Sequence, residues 1–287
     1  MKVDNAVIMA AGMSSRFAPL SYEKHKALIE VKGEVLIERQ IRQLLEAGLS
    51  DIYIVTGYQA EQFDYLRQKL GVKLIHNPDY LIRNNNSSIW AARELLRNSY
   101  VCSSDNYFNR NPFEIEVDEA YYAALYADGH TNEWCMEEDE QGYIRAVTIG
   151  GANAWYMLGH TFWSEEFSSH FLKILVAEYD LPETADKLWE RILMAHLDEL
   201  KMKIRKYGSD VIFEFDTMDE LREFDLSYRT DTRSALIKKV ARELNTSEAE
   251  ITGITALKQG NAAAGFEFDC RGGHYRYLYD SGVLEKG

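Results

Sequence analysis

The chain has 287 residues, room for one large domain or for one domain and an appendage at about 100–200 residues each. Hydrophobic residues make up 46% of it and prolines number only four, which excludes a disordered or linker-rich chain. The net charge of −14 opposes binding to nucleic acid or anionic lipid, because both are polyanions.

The first hundred residues alternate short apolar runs with helical stripes, the sign of βαβ units and a parallel sheet. Residues 6–10 read as the first strand. Leu36, Ile37, Ile41, Leu44 and Leu45 form a helical stripe, and residues 52–55 the second strand. A helix over 61–69, a strand over 72–76, a helix over 88–97 and a strand over 99–103 continue the rhythm. The expected fold class is α/β: a doubly wound, mostly parallel, Rossmann-like sheet.

From about residue 119 the pattern changes to four strand-like runs, 120–127, 133–136, 143–149 and 154–158. Turn signals stand at Asp128-Gly129, Gln141-Gly142 and Gly150-Gly151. This predicts an antiparallel insertion. Two helices, a strand pair over 202–206 and 211–215, and a helix from Thr217 follow. Past residue 227 a helix over 232–244 and strands over 265–270 and 274–279 make a small α+β appendage. The expected division is a main domain over 1–227 and a C-terminal segment over 228–287.

The first strand runs into Ala10-Ala11-Gly12-Met13-Ser14-Ser15-Arg16-Phe17. A small-residue turn after a strand lets backbone N–H groups approach an anion, and Arg16 is placed to clamp phosphate oxygens. Lys26, in Lys24-His25-Lys26-Ala27-Leu28, adds a second cation before another apolar run. An acidic chain that binds a nucleotide must concentrate its cations in this way.

Turn, Arg, Lys and strand together resemble the signature of the sugar-phosphate and alcohol-phosphate nucleotidyltransferases. Leu36-Ile37-Glu38-Arg39-Gln40, Val55-Thr56-Gly57-Tyr58 and Gln62-Phe63-Asp64-Tyr65-Leu66 are similar to the bacterial CTP:phosphocholine cytidylyltransferases over roughly residues 3 to 226. The chain departs from them at Ser14, where a second glycine is common, and at His25, where a proline usually stands.

The resemblance implies a set of roles. Residues 10–16, Lys26, Asn85 and Ser88 would bind CTP, the last two beside the nucleobase. Asp105, at the end of a strand in Val101-Cys102-Ser103-Ser104-Asp105, and Asp216, in Glu214-Phe215-Asp216, would hold Mg2+, a hard ion suited to carboxylate oxygen. Ser103 and Ser104 stand where the family has Glu-Gly. Tyr107, Trp134, Tyr156, Trp189 and Glu190 would surround the acceptor, since a trimethylammonium group is held by aromatic faces and a carboxylate. Leu188 and Glu190 replace the family's tyrosine and aspartate.

The expected reaction is in-line attack by phosphocholine on the α-phosphorus of CTP, releasing pyrophosphate, with Arg16, Lys26, Asp105 and Asp216 as the catalytic set. Rival acceptors are phosphoethanolamine, 2-aminoethylphosphonate and a sugar 1-phosphate. A rival of another class is a nucleotide-binding regulatory module without turnover. Residues 251–261 resemble the opening hairpin of choline kinase-type domains, which would make the tail the start of a kinase fusion, or else a packing appendage. Cys102, Cys135 and Cys270 show no paired spacing, and no run approaches about 18 apolar residues. These signs favour a cytoplasmic protein with neither disulfides nor membrane insertion; the oligomeric state stays open.

Overall fold

The computed structural model describes residues 1–259 and 262–287. The chain divides into two compact units that each draw on separated stretches of sequence: Met1–Gly12 with Leu36–Glu214, and Met13–Val35 with Phe215–Gly287.

The first unit is built on a seven-stranded mixed sheet. Asn5–Ala10 lies inside its parallel half, parallel to Ile52–Thr56 on one side and to Ser99–Ser103 on the other, with Lys73–His76 parallel at one edge. The inner strands Asn5–Ala10 and Ile52–Thr56 are largely apolar because both faces are covered: Ala6, Val7, Ile8, Ile54 and Val55 have no exposure. On the far side Ile144–Trp163 runs antiparallel to Ser99–Ser103, Tyr121–Glu138 antiparallel to it, and Lys203–Lys206 parallel at the other edge. The mostly parallel α/β centre with an antiparallel flank is the architecture expected.

The four expected runs of the insertion belong to two strands that double over. Cys135 and Met136 pair with Thr148 and Val147, and also with Tyr156 and Trp155. The strands bend where Gly129 and Gly150 adopt φ of 89° and 77°, conformations open to glycine. Of the three turn signals, only Gln141-Gly142 closes the hairpin.

Other details differ from the sequence reading. The helix expected over 61–69 is a 3-10 turn, Ala60–Phe63, followed by Tyr65–Leu70. The helix expected from Ser88 begins earlier, as Asn86–Ala92, with Asn85 at its N-cap position and the Asn86 amide donating to the carbonyls of Thr184 and Ala185. Residues 202–206 and 211–215 do not pair with each other: Lys203–Lys206 joins the main sheet, and Ile212–Glu214 pairs with Asn106–Phe108.

In the second unit Thr252–Gln259, Ala262–Cys270, Gly273–Leu278 and Leu284–Lys286 form an antiparallel sheet in that order. Phe266 and Phe268 from the sheet, Ile237 and Val240 from the helix Ala235–Glu243, and Phe17 and Leu28 from the early segment are all buried in this unit. Gly260 and Asn261, part of the kinase-like stretch, lie outside the described residues.

Candidate active site

The phosphate-binding segment starts where the central strand ends. Ala10 and Ala11 are buried, and the Ala11 carbonyl accepts from the Tyr58 N–H at 3.0 Å. Gly12 is exposed, and a Cβ added to it would meet nothing within 4 Å. Ser14 adopts φ 48°, ψ 42°, a left-handed conformation that glycine would enter more easily. It precedes the 3-10 turn Ser15–Phe17, in which the Phe17 N–H donates to the Ser14 carbonyl at 2.9 Å.

Within the second unit the two cations converge on one carboxylate. Arg16 Nη1 donates to Asp216 Oδ2 at 2.6 Å, and Lys26 Nζ lies 3.9 Å from Asp216 Oδ1. The two cations differ in freedom: the Arg16 side chain is 74% exposed, that of Lys26 only 4%. Lys26 opens the 3-10 turn Lys26–Leu28, and its ammonium lies 5.6 Å from the Phe17 ring centre. His25 fills the position of the missing proline usefully: its Nδ1 accepts from the Ala27 N–H at 3.2 Å and caps that turn. Asp216 is held at the start of the helix Met218–Phe224. Its own N–H donates to Glu220 Oε2 at 2.7 Å, while Thr217 Oγ1 caps the Glu220 N–H at 3.2 Å.

In the first unit Asp105 follows Ser99–Ser103 and is partly exposed. The helix Leu36–Glu46 pins the flanks of its loop: Gln40 Nε2 donates to the Ser103 carbonyl at 3.1 Å, Arg39 Nε and Gln43 Nε2 to the Phe108 carbonyl at 2.8 and 3.0 Å. Tyr107 is buried beneath Arg39, whose guanidinium lies 4.6 Å from the ring centre.

Only part of the acceptor set lies about Glu190, a half-buried residue in the first turn of Trp189–Ala195, and Asn85, expected beside the nucleobase, joins it there. Asn85 Nδ2 donates to Glu190 Oε2 at 3.2 Å and Tyr122 Oη to Oε1 at 3.3 Å. Burial dominates these bonds and pushes the carboxyl up to about 7. Asn85 Oδ1 also accepts from the Trp189 N–H at 2.7 Å, so its amide spans both residues. Ser88 is buried inside its helix, where its hydroxyl accepts from Asn77 Nδ2 at 3.3 Å.

Trp189 is a core side chain, 1% exposed, in edge contact with Trp163 and stacked with Tyr122 at 5.7 Å. Trp134 is partly buried and carries a cation of its own, the Arg191 guanidinium 4.5 Å from its ring centre. Desolvation raises the Tyr156 phenol, and the charges of Glu133 and Glu214 push it the same way. Burial, then the charge of Glu190 and its hydrogen bond, and lastly Glu214, raise Tyr122. Tyr122 and Glu214 are members of this cluster that the motifs did not single out. Glu214 stood in view in Glu214-Phe215-Asp216, but Tyr122 is one apolar-run tyrosine among many.

Comparisons with known proteins identify the family. The MobA-like NTP transferase domain matches residues 6–108. The choline-phosphate cytidylyltransferase of Streptococcus pneumoniae is 31% identical, the match spanning 77% of this chain and 96% of that enzyme. The 2-aminoethylphosphonate cytidylyltransferase of Lancefieldella rimae is 32% identical over 78% of this chain and 93% of its own length. The solved structure of the pneumococcal CTP:phosphocholine cytidylyltransferase superposes with a TM-score of 0.74 at 32% identity, covering 78% of this chain and 97% of that one. Fold and site therefore define a nucleotidyltransferase. More narrowly, the chain belongs to the choline-phosphate cytidylyltransferase family.

Proposed function

We propose that the chain forms CDP-choline and pyrophosphate from CTP and phosphocholine. The observation that carries this reading is Glu190: a carboxylate in a desolvated setting, bonded to Asn85 and Tyr122 in a cluster that also holds Tyr156, Glu133 and Glu214, lacks a bonded cation among the described residues. A trimethylammonium group supplies that charge without needing to donate a hydrogen bond. Trp189 then acts behind Glu190 as packing, and Asn85 as the residue that orients it.

The acceptor phosphate has a second pKa of about 6, so its oxygen is already a nucleophile at neutral pH and no side chain need remove a proton. Arg16 and the backbone N–H groups after Ala11 hold the departing phosphates, and Lys26 stabilises the charge at the α-phosphate. The family generally works with a divalent metal, and Asp105 and Asp216 offer the hard oxygen donors that Mg2+ takes. When bound, the ion neutralises charge on the phosphate oxygens. Asp216→Asn, which removes a donor and leaves the shape, is expected to abolish pyrophosphate release; near wild-type turnover would overturn the metal assignment.

A second reading is a cytidylyltransferase for phosphoethanolamine or 2-aminoethylphosphonate. It is favoured by Arg191 on the Trp134 ring, since a primary ammonium can donate directly to Glu190 and needs no aromatic face. Pyrophosphate release measured over four nucleotides and these acceptors separates the readings. A higher kcat/KM with phosphocholine supports the first; the reverse order moves the assignment to primary ammonium acceptors.

A further inference from the structure

The segment that carries Arg16 and Lys26 is fastened to the C-terminal tail on both sides of Lys26. Before it, the Glu23 carboxylate accepts from the Ala235 N–H at 2.6 Å and the Leu236 N–H at 3.4 Å, and from the Ser234 hydroxyl. It thus sits at the N-terminus of the nine-residue helix Ala235–Glu243, where an anion is favoured by the free N–H groups. After Lys26, the Glu30 carbonyl accepts from Tyr228 Oη and from Arg233 Nη1, both at 2.7 Å. The Lys32 N–H donates to Asp225 Oδ2 at 2.7 Å. Tyr22 and Tyr279 meet edge to face with ring centres 5.8 Å apart.

We propose that residues 228–287 are a positioning element for the phosphate-binding segment, with Glu23 as its principal joint, and that they set the affinity for the nucleoside triphosphate without touching the acceptor. The inference rests on the assignment of Arg16 and Lys26 to the nucleotide phosphates. A 3-10 turn of three residues cannot hold a buried lysine by itself, and the bonds at Glu23 and Glu30 fix its two ends. Glu23 is a positioning residue, because its carboxylate is spent on the tail.

The test is Glu23→Gln in the full chain, with Mg-CTP affinity measured by direct titration and KM values for CTP and phosphocholine measured separately. Losing a charged cap is expected to raise the CTP dissociation constant and KM about fivefold, with the phosphocholine KM unchanged and Glu23→Asp intermediate. Hydrogen exchange at Ala235 and Leu236 reports whether the helix has been released. A chain that has released it and keeps wild-type CTP affinity overturns the proposal. If Glu23→Gln leaves the helix in place, the double variant Tyr228→Phe with Arg233→Ala removes both bonds to Glu30, and unchanged CTP affinity there overturns it equally. Wild-type protein that fails to bind CTP would instead overturn the nucleotide assignment, and the proposal with it.

Discussion

At the scale of single residues, Glu190 carries opposing consequences for binding and stability. Its carboxyl titrates near 7 in the folded chain, against an ordinary value of 4.5, because burial outweighs the bonds from Asn85 and Tyr122. The folded chain therefore binds more protons than the unfolded chain between those values, and stability falls as pH rises through this window, by up to about 3 kcal/mol. Glu190→Gln is expected to raise the phosphocholine KM about tenfold, roughly 1.4 kcal/mol, with little change for CTP. Thermal unfolding should show the variant gaining on the wild type from pH 4.5 to pH 8; a parallel pair of curves would argue against a desolvated carboxylate. Arg191 makes a complementary prediction. Its guanidinium occupies the Trp134 ring that a quaternary ammonium would use, so Arg191→Ala should lower the KM for phosphocholine more than that for phosphoethanolamine. A rise in the phosphocholine KM would show that Arg191 binds the acceptor instead.

At the scale of elements, the two glycines around the phosphate turn behave in opposite ways. A Cβ on Gly57 would meet Tyr80 Cγ at 2.6 Å and the Ala11 carbonyl at 2.9 Å, whereas one on Gly12 meets nothing. Gly57→Ala should therefore destabilise the fold by about 1–3 kcal/mol in chemical denaturation, as overpacking does. Gly12→Ala should leave unfolding unchanged and weaken CTP binding alone. The parallel strands were legible because burial on both faces leaves uninterrupted apolar runs, and helix Leu36–Glu46 because its stripe is clean. The insertion was legible as four runs but not as two folded-over strands, since the same glycines serve a bend and a turn. Of the site, Arg16, Lys26 and Asp216 were each named through the family resemblance, and the fold sets the two cations against that carboxylate. The link from Asn85 to Glu190 could not be read, because the motifs carrying the two residues pointed to different substrates and only the fold brings the side chains together.

At the scale of the whole molecule, acid should act through a residue outside the chemistry. His160 has no exposure, lies among Tyr100, Phe108 and Phe113, and shares a 2.9 Å hydrogen bond with Tyr121. Burial, helped by the charge of Arg205, holds its pKa down at about 3 against an ordinary 6.5. The unfolded chain takes up this proton first, so stability falls as pH drops below 6.5, by about 2 kcal/mol at pH 5. His160→Gln should flatten the unfolding midpoint between pH 6.5 and pH 4.5, and an unchanged slope would place acid sensitivity elsewhere.

The interleaving of the two units also has a consequence in time. Residues 13–35 emerge from the ribosome early, yet every other member of their unit lies at 215–287. At about 5–20 residues per second the wait between the two stretches lasts on the order of 10–40 s. During that interval the arm bearing Arg16 and Lys26 hangs from a growing chain without Asp216 or the helix that receives Glu23. The unit that carries Arg16 and Lys26 can therefore close only after residues 215–287 have been made, and a nascent chain stalled before residue 215 would carry the sheet but leave that arm unclosed.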